Sequence, residues 1–261
     1  MKFGVIEIER AEGVATIWMN RPQLHNAFNA RLIEELNWAL TELESDAAVR
    51  VVILGGRGRS FSAGADLAWM KAASSASFED NFDDALRLAE TLRLLAEYPK
   101  PTIARVHGPA LGGGMGLAAA CDICVASNHA SFAASETRFG LIPSVISPYI
   151  LRAIGSRQAL RYFLTAERIS ATRAHEIGLA HEYVDGEHLD ATVIEIAQAL
   201  AKGGPKAMAG AKKLIHDFDN RPVDEELVTE TARRIALARS SDEAAEGIAA
   251  FFEKRLPHWR D

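Results

Sequence analysis

The sequence predicts an α/β chain: the first two-thirds alternates strands with helices, and the last third is a helical appendage. Two observations carry this. Short β-branched runs, closed by glycine or polar turns, recur as far as Ala126 and are separated by stretches with apolar residues at helical spacing. From Ser156 onward the pattern is almost wholly helical, broken at Gly178, Gly203-Gly204-Pro205 and Asn220-Arg221-Pro222. Strand–helix–strand units in succession imply parallel pairing through right-handed crossovers.

In order, FGVIEIER and GVATIWMN read as two strands around the turn at Glu12-Gly13. A helix starts near Asn29, its N-cap, with Leu32, Ile33, Leu36, Leu40 and Leu43 on one face. Val51 to Leu54 is a buried strand closed by Gly55-Gly56, and a loop of small residues, GRGRSFSAGADLAWM, follows. Phe78 to Tyr98 is a long helix stopped by Pro99 and Pro101. Thr102 to Val106 is a further buried strand, running into GPALGGGMGLAAACDICVAS, which reads as loop, helix, then a strand at Ile123 to Ala126.

Composition narrows the function. With 29 Lys and Arg against 35 Asp and Glu, the net charge of -6 argues against nucleic-acid binding, while a few local cations suffice for an anionic ligand. The 48% apolar fraction supports a full core. Charges within MKFGVIEIER exclude a secretory signal, and no apolar run is long enough to span a membrane. Only two cysteines fit a reducing cytoplasm.

Several signatures fail. Gly108 to Gly113 lacks the Lys-Ser/Thr of a phosphate-binding loop, and Gly112, Gly114 and Gly116 lack dinucleotide-binding spacing. Ser62 spoils a nucleophile elbow at Gly58-Arg59-Ser60-Phe61-Ser62. His175-Glu176 and His181 are too far apart for a zinc motif, so no metal is expected. Cys121-Asp122-Ile123-Cys124 reads as two buried thiols rather than a redox pair.

Two loops stand out. Ser62-Ala63-Gly64-Ala65-Asp66-Leu67 follows a strand and precedes an apolar helical turn, leaving backbone N–H groups unhindered at a helix start. Gly112-Gly113-Gly114 has the same character. One such loop is a tight turn. Two, each after a buried strand, are either a pair of turns or the two donors of an oxyanion hole, each donor worth ~3 kcal/mol to a developing enolate.

These segments, with Ala110 to Ala118 and Cys121-Asp122, resemble the enoyl-CoA hydratase/isomerase (crotonase) family. The likeness continues through Phe132 to Pro143, Thr165 to Ser170, Ala174 to Leu179, Glu246-Gly247 and Phe251 to Arg255, nearly the whole chain. It implies a spiral of ββα units over 1–200 and a helical C-terminal region over 201–261 that assembles homotrimers, often paired into hexamers. It implies oxyanion-hole N–H groups on Ala65 and Gly113, and an acyl-CoA thioester along Ala63, Gly64, Ala65, Asp66, Leu67 and Gly112, with Arg21 and Leu24 nearby. Phe251 and Lys254 approach the coenzyme from the tail, of the same or a neighbouring subunit. Lys254 and Arg57 or Arg59 are candidate attractors for its charges, although a solvated loop is the simpler reading of the two arginines. Coenzyme A belongs to the substrate, so no separate cofactor is implied.

Hydratases of this family use two glutamates around one water. The second matches Glu136, in Ala134-Ser135-Glu136-Thr137-Arg138-Phe139-Gly140; the bland alternative is a surface carboxylate paired with Arg138. The first would stand at 116, where this chain has Gly116. The segment after Pro143 also departs: Ser144-Val145-Ile146-Ser147-Pro148-Tyr149 replaces the family's Gly-x-Gly-Gly-Thr and reshapes the acyl pocket. This variant resembles a bacterial subgroup assigned to methylglutaconyl-CoA or isohexenylglutaconyl-CoA hydration, in which Arg138 or Ser144 would meet a distal carboxylate.

The expectation is a cytoplasmic hydro-lyase acting on an enoyl-CoA, in fatty-acid or leucine degradation, with Glu136 as acid and base. The alternatives are a Δ3,Δ2-enoyl-CoA isomerase, for which one glutamate suffices, and a non-catalytic acyl-CoA-binding protein. Apolar stripes at Val228, Ile235, Ala236, Ala244, Ile248, Phe251 and Phe252 are of the kind that more often packs on a chain's own body than on a partner.

Overall fold

A computed structural model describes residues 3–260. Its centre is a six-stranded sheet in the order β1-β2-β3-β4-β6-β9. These are β1 (Ile6–Ala11), β2 (Val14–Met19), β3 (Val51–Gly56), β4 (Thr102–Val106), β6 (Ile123–Ser127) and β9 (Glu182–Val184). Only the β1–β2 hairpin is antiparallel; the other four pairings are parallel, as crossovers through helices require. Strands β5 (Pro109–Leu111), β7 (Ser131–Ala133) and β8 (Ile169–Ser170) form a second, three-stranded sheet.

Strand β3 is buried throughout, so both its faces need apolar partners. Alternation supplies them. Val52 and Leu54 enter the main core with Leu32, Leu36, Leu40 and Leu92 of α1 (Ala30–Ser45) and α3 (Phe78–Ala96). Val51 and Ile53 face a smaller core capped by Leu189, Val193 and Ala197 of α7 (Leu189–Ala201). Helix α1 starts where the sequence places it: the Asn29 side chain accepts from the Leu32 N–H at 3.0 Å.

The second half differs from the sequence expectation. Helix begins at Ser147, not Ser156: α5 (Ser147–Thr165) has Pro148 in its first turn and is interrupted by Gly155 at φ 71°. Strand β8, α6 (Ala171–Glu176) and β9 then divide what reads as helix broken only at Gly178, and β9 completes the large sheet. Beyond it, α8 (Pro205–Phe218), α9 (Glu225–Arg239) and α10 (Asp242–Glu253) follow the predicted breaks.

These last helices bury little of themselves, only Leu227 in α9 and Ala250 in α10. The apolar stripes largely do not pack on the chain's own body: Val228, Ile235, Ile248, Phe251 and Phe252 are all more than half exposed. Among the described residues no helix is long and apolar enough to cross a membrane.

Candidate active site

The two glycine-rich loops are stitched together by backbone. Ser62 N–H donates to Pro109 O at 3.1 Å and Leu111 N–H donates to Ser62 O at 2.8 Å, a short parallel ladder joining the first loop to β5. Phe28 N–H donates to Gly64 O at 2.7 Å, and Asp66 N–H donates to Phe28 O at 2.8 Å. The amides on either side of Ala65 are thus fixed. In the second loop Gly112 N–H donates to Ala133 O at 2.8 Å, and α4 (Gly113–Ala120) begins one residue on. Among the described residues neither the Ala65 nor the Gly113 N–H has an acceptor within the protein. Both are free to donate to a ligand.

Glycine is required where the loops meet. Gly64 has φ 88°, and a Cβ there would lie 3.0 Å from Leu111 O. Gly112 has φ 49°, and its Cβ would lie 3.1 Å from Glu136 Oε1 and 3.8 Å from Gly64 Cα. Both free amides and the Glu136 carboxyl therefore face one space.

That space is a cavity of about 370 Å³, walled by Phe28, Trp69, Met70, Leu88, Phe139, Leu141, Ile142, Val145 and Ile146 and by both loops. Glu136 opens the short 3-10 turn Glu136–Phe139 that follows β7, and Thr137 Oγ1 pins the turn to α5 by donating to Phe163 O at 2.9 Å. Oxygen Oε2 of Glu136 is buried without a hydrogen-bond partner. Burial pushes this carboxyl above its ordinary pKa. No ion pair joins it to Arg138 among the described residues, and Arg138 does not line the cavity, whereas Ser144 does. Among the described residues Glu136 is the only titratable one in the lining.

Of the residues expected at the site, Ala63, Gly64, Ala65, Leu67, Gly112, Gly113 and Glu136 line this cavity, with Leu67 largely exposed at its rim. Arg21, Leu24, Asp66, Phe251 and Lys254 do not. Arg21 is buried and donates from Nη2 to Asp66 Oδ2 at 2.8 Å, and Asp66 caps α2 (Leu67–Ala73) by accepting from Ala68 N–H at 2.9 Å. The two side chains hold the first loop in place rather than reaching outward. Leu24 is exposed, as are Phe251 and Lys254 near the end of α10. Arg57 is committed to Glu7 and Glu9 and stacks on Trp18 at 4.2 Å. Sequence reasoning missed Phe28, Trp69, Met70 and Leu88, whose spacing marks them only as core or loop residues.

The thiols of Cys121 and Cys124 are free and buried; burial pushes both upward, Cys124 to about 12. They are poor nucleophiles at neutral pH.

Comparison with known proteins gives the chain its family and fold. Residues 9–261 match the family described as Enoyl-CoA hydratase/isomerase. The structure of an enoyl-CoA hydratase from Shewanella pealeana superposes with a TM-score of 0.96 at 40% identity, covering 99% of this chain and 97% of that one. An enoyl-CoA hydratase from Bacillus anthracis gives 0.90 at 33% identity, over 98% of this chain and 99% of that one. The 1,2-epoxyphenylacetyl-CoA isomerase of Escherichia coli is 33% identical over 99% of this chain and 98% of its own length. The chain belongs to the enoyl-CoA hydratase/isomerase, or crotonase, family of enzymes.

Proposed function

We propose that this enzyme adds water across the double bond of a 2-enoyl-CoA thioester. The observation that carries the reading is one unpartnered, partly buried carboxyl, Glu136, facing the same cavity as two acceptor-free amides. The Ala65 and Gly113 N–H groups donate to the thioester oxygen and stabilise the charge it gains. Glu136, ionised, takes a proton from water as the water oxygen bonds to Cβ, and the electron pair of the double bond moves onto the enolate. The Glu136 carboxylic acid then returns a proton to Cα as the enolate collapses. One carboxyl group thus serves both steps, and H and OH arrive on the same face.

The lining favours an apolar acyl chain. A distal carboxylate, as in methylglutaconyl-CoA, would find the hydroxyls of Ser135 and Ser144 but, among the described residues, no cation in the cavity wall. A second reading, Δ3,Δ2-enoyl-CoA isomerisation, is favoured by the single carboxyl, since moving one proton between two carbons needs only one base.

Incubation of purified protein with crotonyl-, 3-enoyl- and methylglutaconyl-CoA separates these. A hydroxyacyl-CoA supports hydration and a migrated double bond supports isomerisation. Tight binding with no turnover would point to a non-catalytic acyl-CoA-binding role. We further propose that the exposed apolar side chains of α9 and α10 are covered by other copies in a trimer or hexamer, to be checked by light scattering.

A further inference from the structure

Gly116 lies three residues beyond Gly113 on α4, buried beside the cavity. A Cβ there would lie 2.4 Å from Ile146 Cγ2, 3.0 Å from Ile146 Cβ and 3.5 Å from Leu92 Cδ1. The first contact is closer than real Cβ atoms make, so a side chain at 116 forces Ile146 to shift. Ile146 is itself 2% exposed and is fixed at the start of α5, leaving it little room to retreat. It also lines the cavity, in which Glu136 is the only titratable group among the described residues. The space a side chain at 116 would enter is therefore filled by hydrocarbon from a different element.

We propose that Ile146 is a specificity-determining residue. Its γ-methyl group fills the volume a side chain at 116 would need, leaves Glu136 to carry the proton path, and makes the cavity wall beside Gly116 apolar. The inference rests on the reaction proposed above, and the experiment is built so that the two fail separately.

The test compares Gly116→Ala and Gly116→Glu, each alone and combined with Ile146→Gly, with Gly116→Gln in the Ile146→Gly background as the uncharged control. Unfolding temperatures and kcat/KM against pH are measured for each. Gly116→Ala alone is expected to lower Tm, and to lower it less once Ile146→Gly has removed the opposing methyl. Gly116→Glu alone is expected to lose turnover ~10²-fold or more, because the new side chain must displace the cavity wall. In the Ile146→Gly background the introduced carboxylate sits near Glu136. The acid limb of the pH profile then moves up by about 1 unit relative to the glutamine control, through like-charge repulsion.

Additive Tm effects overturn the proposal. So does an acid limb that is the same with carboxylate and amide, or a carboxylate variant that does not fold even with Ile146→Gly. If the unmodified protein turns over no enoyl-CoA, the proposed reaction fails, while the Tm comparison still decides whether Ile146 bars side chains at 116.

Discussion

Gly112 carries no side chain because Oε1 of Glu136 occupies the adjoining space, 3.1 Å from where a Cβ would sit. The proposed acid–base group thus lies directly against the loop whose next amide, on Gly113, is free to donate. Gly112→Ala should strain a backbone held at φ 49° and push the carboxyl aside. A fall in kcat/KM of ~10–10²-fold, with Tm lowered only modestly, is expected from steady-state kinetics and calorimetry.

Glu136 is raised from the ordinary carboxyl value of 4.5 by burial. The base form is populated only above the raised value, so the acid limb of kcat/KM should lie above pH 4.5. Stability runs the other way. The folded protein holds this proton more tightly than the unfolded chain, so the group's contribution falls as pH rises from 4.5 through the folded pKa. Glu136→Gln should therefore raise Tm at neutral pH and lose that advantage below 4.5, as thermal scans against pH would show.

The Arg21–Asp66 pair, 2.8 Å apart with little of either side chain exposed, anchors the loop carrying Ala65. Removing either partner leaves a poorly solvated charge, so Arg21→Ala or Asp66→Ala should each cost about 3 kcal/mol in denaturant unfolding, and the double variant much less than their sum. Hydrogen bonding from Arg21 holds Asp66 below its ordinary value of 3.8. Its stabilising contribution is therefore complete above that value and disappears as pH falls through the depressed one.

Neither cysteine should react with a thiol reagent at about pH 8 while the protein is folded, because burial holds both as thiols. Two thiols should titrate on unfolding. Rapid modification of the native protein would contradict their placement.

Local signals survived best in passing from sequence to structure. The Asn29 cap, the stripe on α1, the strand at Thr102–Val106 and both glycine-rich loops depend on neighbours within a few residues, where spacing is informative. Strands β8 and β9 are two and three residues long, too short to establish a period, and form only because β7 and β6 offer edges for them. Arg21 is placed near the coenzyme by the family resemblance alone; its pairing with Asp66, 45 residues away, is invisible to local spacing. Glu136 sits among Ser135, Thr137 and Arg138, a polar string that suggests a surface turn; only the walls folded around it reveal an unpartnered carboxyl. The absence of a side chain at Gly116 was plain, but its cause, Ile146, lies on another element thirty residues away.

The most direct measurement is the mass of the product formed from crotonyl-CoA by the unmodified protein and by Glu136→Gln, in parallel. The account predicts an acyl-CoA heavier by one water from the first, and a rate at least ~10²-fold lower from the second. Near-full hydration by Glu136→Gln would contradict it, because among the described residues no other titratable side chain lines the cavity.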